Sequence, residues 1–388
     1  MTKPYREAYV TGVGQSRAGM GQTRSPLLLT RDALLEALEE AGLTTGQIDG
    51  VATFPGRTPV YLGLSPLGAD DVIDAFGLKT RWHLGGVEMT SQLGAIVAAM
   101  DAVRAGHARH VLCFRTVYEA AAAARPHEYP PLRQELVEGS SQWLAPFRSL
   151  SPVNSVAQFA MRHMRRYGMT REQLGQIAVN AYANGALNPN AIARKSLTLD
   201  DYLAARMISS PLCLYDCDRY TDAATVLIVS AGDALDEVSC APIRIAASAS
   251  VVHRYSWDQA EWMASYQTGP ELWKHCDYGP GDVDIAQLYD GFSFLAITWL
   301  EALGFCPVGE GGRFIEGGRR IARDGDLPVN TAGGQIGAGR LHGFGFPHEA
   351  VVQLRGAAGD RQVSGNPRVA VATAGGGPYA TALLLARD

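Results

Sequence analysis

Apolar positions along the chain keep two rhythms. Ala8-Tyr9-Val10-Thr11-Gly12-Val13-Gly14 is a short apolar run broken by glycine, the pattern of a buried strand. Leu34, Leu35, Leu38 and Ala41 then recur at helical spacing up to a stop at Gly42. A second helical face runs through Leu93, Ile96, Val97, Met100 and Val103 to Gly106, and His110-Val111-Leu112-Cys113-Phe114 reads as another buried strand. Strands alternating with helices predict an α/β fold whose sheet is covered on its faces. Between about 118 and 210 the rhythm breaks into an alanine run, Pro126, Pro130, Pro131 and helices containing tryptophan and arginine, which predicts an inserted loop or cap domain. Alternation resumes over 223–231, and Ile243-Arg244-Ile245-Ala246-Ala247 opens a second half much as 8–14 opens the first. The expected division is 1–240, including the insertion, and 241–388.

Composition sets the scale. With 388 residues and 47% hydrophobic positions the chain exceeds one core, since single cores stop growing near ~250–300 residues. A net charge of -5 provides no basic field, so nucleic acid is not an expected partner. Met1-Thr2-Lys3-Pro4-Tyr5 lacks the apolar centre of a signal peptide, and no window approaches the roughly 18 apolar residues of a membrane span. No membrane association and a cytoplasmic location are expected. Six scattered cysteines predict reduced thiols, and Cys213-x3-Cys217 lacks zinc spacing, so no metal is expected.

The chemistry gathers in the second half. Leu288-Tyr289-Asp290-Gly291-Phe292, Val329-Asn330-Thr331-Ala332-Gly333-Gly334, Arg340-Leu341-His342-Gly343-Phe344 and Thr373-Ala374-Gly375-Gly376-Gly377 each lie beside an apolar run, as loops meeting over a core do. Tyr289 and Asp290 are candidates for proton transfer, Asp290 reading more readily as a turn or helix N-cap residue than as an acid. His342 and His348 are candidates because histidine titrates near neutrality. The N–H groups of Gly333, Gly334, Gly375 and Gly376 are candidate oxyanion donors, since glycine permits close approach.

The spacing of these loops resembles the active-site loops of the thiolase superfamily, in its sterol-carrier or lipid-transfer branch. The resemblance extends over Tyr167-Gly168-Met169-Thr170, Asn188-Pro189-Asn190-Ala191 and the passage from Ser210 to Cys217, with Thr221-Asp222-Ala223-Ala224 after it. It implies a five-layered αβαβα fold of two repeated halves, a homodimer, and acyl-CoA substrates with no cofactor beyond the coenzyme A of the substrate. The thiolase nucleophile falls near Met89, whose thioether cannot form an acyl-enzyme. The other family positions appear as Tyr289-Asp290-Gly291-Phe292, Gly339-Arg340-Leu341 and Thr373, so ordinary Claisen chemistry is not expected.

This pattern is similar to thiolase-like aldolases that shorten the side chains of steroid acyl-CoA thioesters, through Tyr-Asp-x-Phe and Gly339-Arg340-Leu341-His342-Gly343 with Phe346 and His348-Glu349-Ala350 following. The resemblance implies that Tyr289 is one of a catalytic tyrosine pair whose second position is Phe344, and that a small OB-fold partner of the DUF35 type assists. The expected reaction is retro-aldol cleavage of a bulky β-hydroxyacyl-CoA to a ketone and a short acyl-CoA such as propionyl-CoA. Tyr289 is expected as base with its pKa lowered by Arg340, and His342 or His348 as the second proton carrier; Arg340, Phe344 and Met89 are expected to line the substrate site. Phe344 also favours a second reading, a non-catalytic acyl-CoA- or lipid-binding subunit that scaffolds a partner. A third is a thiolase with its nucleophile displaced to Thr90, Ser91 or Cys113.

Overall fold

The computed structural model describes residues 6–58, 63–86, 91–125, 139, 141–253 and 262–388. Among them the strands are β1 (Ala8–Gln15), β2 (Gly50–Thr53), β3 (Trp82–Leu84), β4 (His110–Tyr118), β5 (Met207–Ser209), β6 (Leu212–Cys213), β7 (Asp222–Ala231), β8 (Ile243–Val252), β9 (Ile285–Gln287), β10 (Val369–Gly375) and β11 (Tyr379–Ala386). β5 and β6 form a small hairpin; the others run in the order β3-β2-β4-β7-β1-β8-β11-β10-β9.

That order contains a repeat. β2 pairs parallel with β4, β4 antiparallel with β7, and β7 antiparallel with β1. In the second half β9 pairs parallel with β10, β10 antiparallel with β11, and β11 antiparallel with β8. The halves meet where β1 and β8 share only the pairs Tyr9↔Arg244 and Val10↔Ile243. Faint sequence similarity thus hides the same sequence of pairing senses.

Period-two alternation separates the layers. Leu112, Phe114, Val226 and Ile228 turn to the outer helix Pro26–Ala41, packing with Leu29, Ala33, Leu34 and Leu38. Val111, Cys113, Leu227 and Val229 turn the other way, onto Ile96, Ala99, Met100 and Val103 of the helix Gly94–Ala105. That helix and Gly345–Leu354 touch strands of both halves, and Ser265–Trp273 covers the far side of β8 and β11. The result is the helix-sheet-helix-sheet-helix layering that the resemblance implies. Helix ends follow local chemistry. Ser25 Oγ accepts from Leu28 N ahead of Pro26, while Gly42 and Gly106 close their helices at φ 70° and 78°, a left-handed conformation that glycine adopts without strain.

The segment between β4 and β7 carries the helices Pro152–Tyr167, Arg171–Leu187 and Leu199–Ala204 with the β5–β6 hairpin. Asn180, Asn184 and Asn188, four residues apart, lie along one side of the second helix and its cap. Their Nδ2 groups donate to Val329 O, to both Val329 O and Asn330 O, and to Ala332 O, at 2.9 to 3.2 Å. One helix thereby satisfies the buried backbone of a loop in the other half, tying the insertion to the functional region.

Candidate active site

The loop after β9 is held from two sides. Asn330, at φ 52°, accepts from Leu288 N at 2.7 Å and donates to Leu288 O at 2.8 Å, acting as a strand neighbour. Thr373, near the end of the second half's strand β10, accepts from Tyr289 N through its hydroxyl at 2.9 Å. These bonds project Tyr289 into a cleft of about 540 Å³, a volume suited to a small-molecule site.

Tyr289, Arg340, His342, Gly375 and Gly376 line this cleft, as the sequence suggests, and Gln92, Glu119, Asp218, Tyr220 and Tyr379 join them. Arg340 sits between two carboxylates, with Nε 3.4 Å from Asp218 and Nη1 3.5 Å from Glu119, and its guanidinium lies over the Tyr220 ring. Burial opposes its charge, but Asp218 and Glu119 outweigh burial and hold the group protonated. Burial pushes Asp218 up to about 6, Arg340 pulling against it and Glu119 adding to it. Glu119 is raised as well, chiefly by burial.

The expectation of a phenolate is corrected by the same geometry. Burial first, and Asp218 second, raise the Tyr289 pKa more than Arg340 lowers it. At neutral pH Tyr289 is a proton donor, its Oη accepting from Gln92 Nε2 at 3.3 Å. His342 is corrected too: burial, Arg115 and Arg340 drive its pKa well below the usual value, so the ring is neutral.

Five expected residues do not line this cleft. His348 lines a separate polar cavity with Glu349 and Arg361, and burial with the neighbouring arginines pushes its pKa down to about 3. Phe344 is fully buried at the start of the helix Gly345–Leu354; the ring beside Tyr289 is Phe346, at a centroid distance of 6.0 Å. Gly333 backs onto Gly185, and Gly334 onto the Asp290 carboxylate. Asp290 takes the capping role, its Oδ1 accepting from Gln335 N at 2.7 Å in the first turn of Gly334–Ala338. Of the oxyanion candidates that remain, Gly376 spends its N–H on Tyr379 O at 3.0 Å. Met89 and Thr90 lie outside the described residues. Cys113 is fully buried and burial raises its pKa, which removes it as a displaced nucleophile.

Burial raises Asp290 to about 7, with Asp218 adding and Gln335 N opposing. A carboxyl that holds its proton more tightly folded than unfolded stabilises the fold fully below about pH 4 and loses that contribution as pH rises toward 7. Asp290→Asn, which cannot ionise, is expected to flatten a slope of at most about 1.4 kcal/mol per pH unit in this window. Urea unfolding of both proteins at several pH values checks this; parallel profiles refute it.

Sequence reading missed Arg115, Gln92 and Asp218. Arg115 was detectable as a cation inside the β4 strand, every residue of which is buried. Asp218 follows the family-like passage ending at Cys217, and Gln92 precedes the apolar helix face beginning at Leu93.

Residues 248–386 match a thiolase C-terminal domain-like family. The chain is 30% identical over 397 aligned positions to a steroid side-chain-cleaving aldolase of Thermomonospora curvata, covering 98% of both chains. It is also 30% identical to a 17-hydroxy-3-oxo-4-pregnene-20-carboxyl-CoA lyase of Mycobacterium tuberculosis, over 98% of this chain and 99% of the other. Among solved structures, an Ltp2-ChsH2(DUF35) aldolase superposes with a TM-score of 0.86 at 29% identity, over 98% of each chain.

Proposed function

We propose, for a chain that belongs to the thiolase superfamily and within it to the steroid side-chain-cleaving aldolases, retro-aldol cleavage of a bulky, steroid-type β-hydroxyacyl-CoA to a ketone and a short acyl-CoA. The observation that carries this reading is a single cleft lined by a phenol kept protonated, Tyr289, and a carboxylate raised to about 6, Asp218. Environments that push two titratable groups apart assign the acid and the base.

In this mechanism Asp218 accepts the β-hydroxyl proton. The electrons of the O–H bond form the ketone, and those of the Cα–Cβ bond pass into the thioester as an enolate. Tyr289 then delivers its proton to the α-carbon and recovers one from the Asp218 carboxyl. The balance is closed: no oxidant, reductant or group beyond the substrate's coenzyme A is needed. Arg340, between Asp218 and Glu119, holds the local charge as protons move. A homodimer and a small DUF35-type partner complete the proposed assembly. Among the described residues no helix is long and apolar enough to cross a membrane.

The test is incubation with a steroidal β-hydroxyacyl-CoA, with and without a co-expressed DUF35-type partner, followed by mass spectrometry. Ketone and propionyl-CoA are expected in equal amounts from an α-methyl side chain. Bound but uncleaved substrate in the complex would favour the non-catalytic subunit, and an acetyl adduct formed from acetyl-CoA would favour thiolase chemistry.

A further inference from the structure

Behind the cleft, Arg115 Nε donates to His342 Nδ1 at 2.9 Å. The guanidinium is itself anchored: Nη1 donates to Ser65 Oγ at 3.0 Å and Thr116 O at 3.2 Å, and Nη2 to Leu64 O. Ser65 Oγ in turn donates to Pro55 O at 2.7 Å. An arginine has only donors, so a ring nitrogen bonded to it must offer its lone pair. A neutral imidazole with Nδ1 occupied in this way carries its hydrogen on Nε2. Gln92 Nε2, 3.5 Å from that atom, is an amide donor and cannot accept from it, and His342 lines the cleft.

The backbone points to the same constraint. His342 sits at φ 50°, a left-handed conformation that costs a non-glycine residue energy, and Gly343 beside it at φ 89° donates its N–H to Gln335 Oε1 at 2.8 Å. The loop is held in a costly shape that aims the ring between Arg115 and the cleft.

We propose that Arg115 is a positioning residue for the retro-aldol reaction, fixing His342 as the neutral, Nε2-protonated imidazole that donates a hydrogen bond to the thioester oxygen as it becomes an enolate. The proposal rests on the retro-aldol reading and deepens it, because it adds a side-chain donor for that oxygen where Gly375 is the one glycine candidate left at the cleft. A neutral N–H stabilises the enolate without surrendering its proton to oxygen, leaving the carbon to be protonated by Tyr289. Burial first makes the ring hard to protonate, and the arginine at the rear and Arg340, on the same loop, act in the same sense. The titratable groups sharing the cleft with the ring are Tyr289, Tyr220, Tyr379, Asp218 and Glu119, together with Cys217.

The experiment combines nitrogen-15 NMR of the histidine rings in the full chain with kinetics of variants. The wild-type His342 ring is expected as the Nε2-protonated neutral tautomer throughout pH 6–8; an imidazolium or an Nδ1-protonated ring there overturns the proposal. Arg115→Gln is expected to lower kcat by about 10²-fold, the scale of a lost oxyanion donor, with KM little changed. The ring is also expected to lose its single tautomer in that variant, Nδ1- and Nε2-protonated forms both appearing in its nitrogen-15 spectrum. Arg115→Lys, which retains a charged donor, is expected to recover part of the rate and the single Nε2-protonated tautomer. If Arg115→Gln does not fold, His342→Gln, which retains an N–H donor, is expected to exceed His342→Phe by at least tenfold in kcat. Equal rates for that pair, or unchanged kcat in an Arg115 variant whose tautomer has shifted, also overturn it. Wild-type protein that yields no products with its partner would instead sink the retro-aldol reading, whatever the tautomer.

Discussion

Replacing Tyr289 by phenylalanine is expected to lower kcat for retro-aldol cleavage by about 10²- to 10⁴-fold, the range of a lost acid–base group, while KM changes only a few-fold. The ring is 8% exposed and packs against Phe346, so phenylalanine preserves the shape of the wall and its apolar contact. What disappears is Oη and its bond from Gln92, a loss of about 1 kcal/mol in stability and not enough to unfold the chain. The binding surface survives and the proton does not. Because burial and Asp218 raise the phenol's pKa above its ordinary value, wild-type activity is also expected to show no alkaline limb from Tyr289 in the neutral range. Steady-state kinetics with the steroidal thioester decide the matter, and a variant with nearly full kcat removes Tyr289 from the proton pathway.

The sequence makes the framework legible because its signals are local. β1, the helix Pro26–Ala41 with its stop at Gly42, and β4 follow from patterns a few residues long, and each forms where its own residues dictate. The site is only half legible, for a reason visible in His342 and His348. Six residues apart, they look equivalent on paper, but the helix Gly345–Leu354 begins between them and carries His348 into a different cavity. Asp290 and Tyr289 diverge in one step: the loop sends the phenol to the cleft and the carboxyl to a helix N-terminus. The residues that tune the site come from distant segments, with 227 positions separating Arg115 from His342 and 117 separating Asp218 from Gln335. No periodicity encodes such meetings; they follow from the order in which strands and loops are stacked.

That long-range assembly makes Asp218 the second decisive position. Burial raises its carboxyl to about 6, Glu119 in the same direction and Arg340 in the opposite one, while Gln335 Nε2 donates to Oδ2 at 3.1 Å. A base must be ionised to accept the β-hydroxyl proton, so kcat/KM is expected to hold a plateau above about pH 6 and to fall tenfold per pH unit below it. Asp218→Asn retains an oxygen for Gln335 and leaves Glu119 paired with Arg340, yet it is expected to lose about 10²- to 10⁴-fold in kcat together with the pH 6 limb. Glu119→Gln supplies the opposing control. Removing a neighbouring negative charge makes Asp218 easier to ionise, so its limb should move to lower pH with only a modest loss of rate. A pH series on the three proteins separates the cases. If Asp218→Asn keeps both its rate and the limb, Asp218 is not the base; if the limb stays put in Glu119→Gln, the two carboxylates do not share the field of Arg340 in the way their flanking positions require.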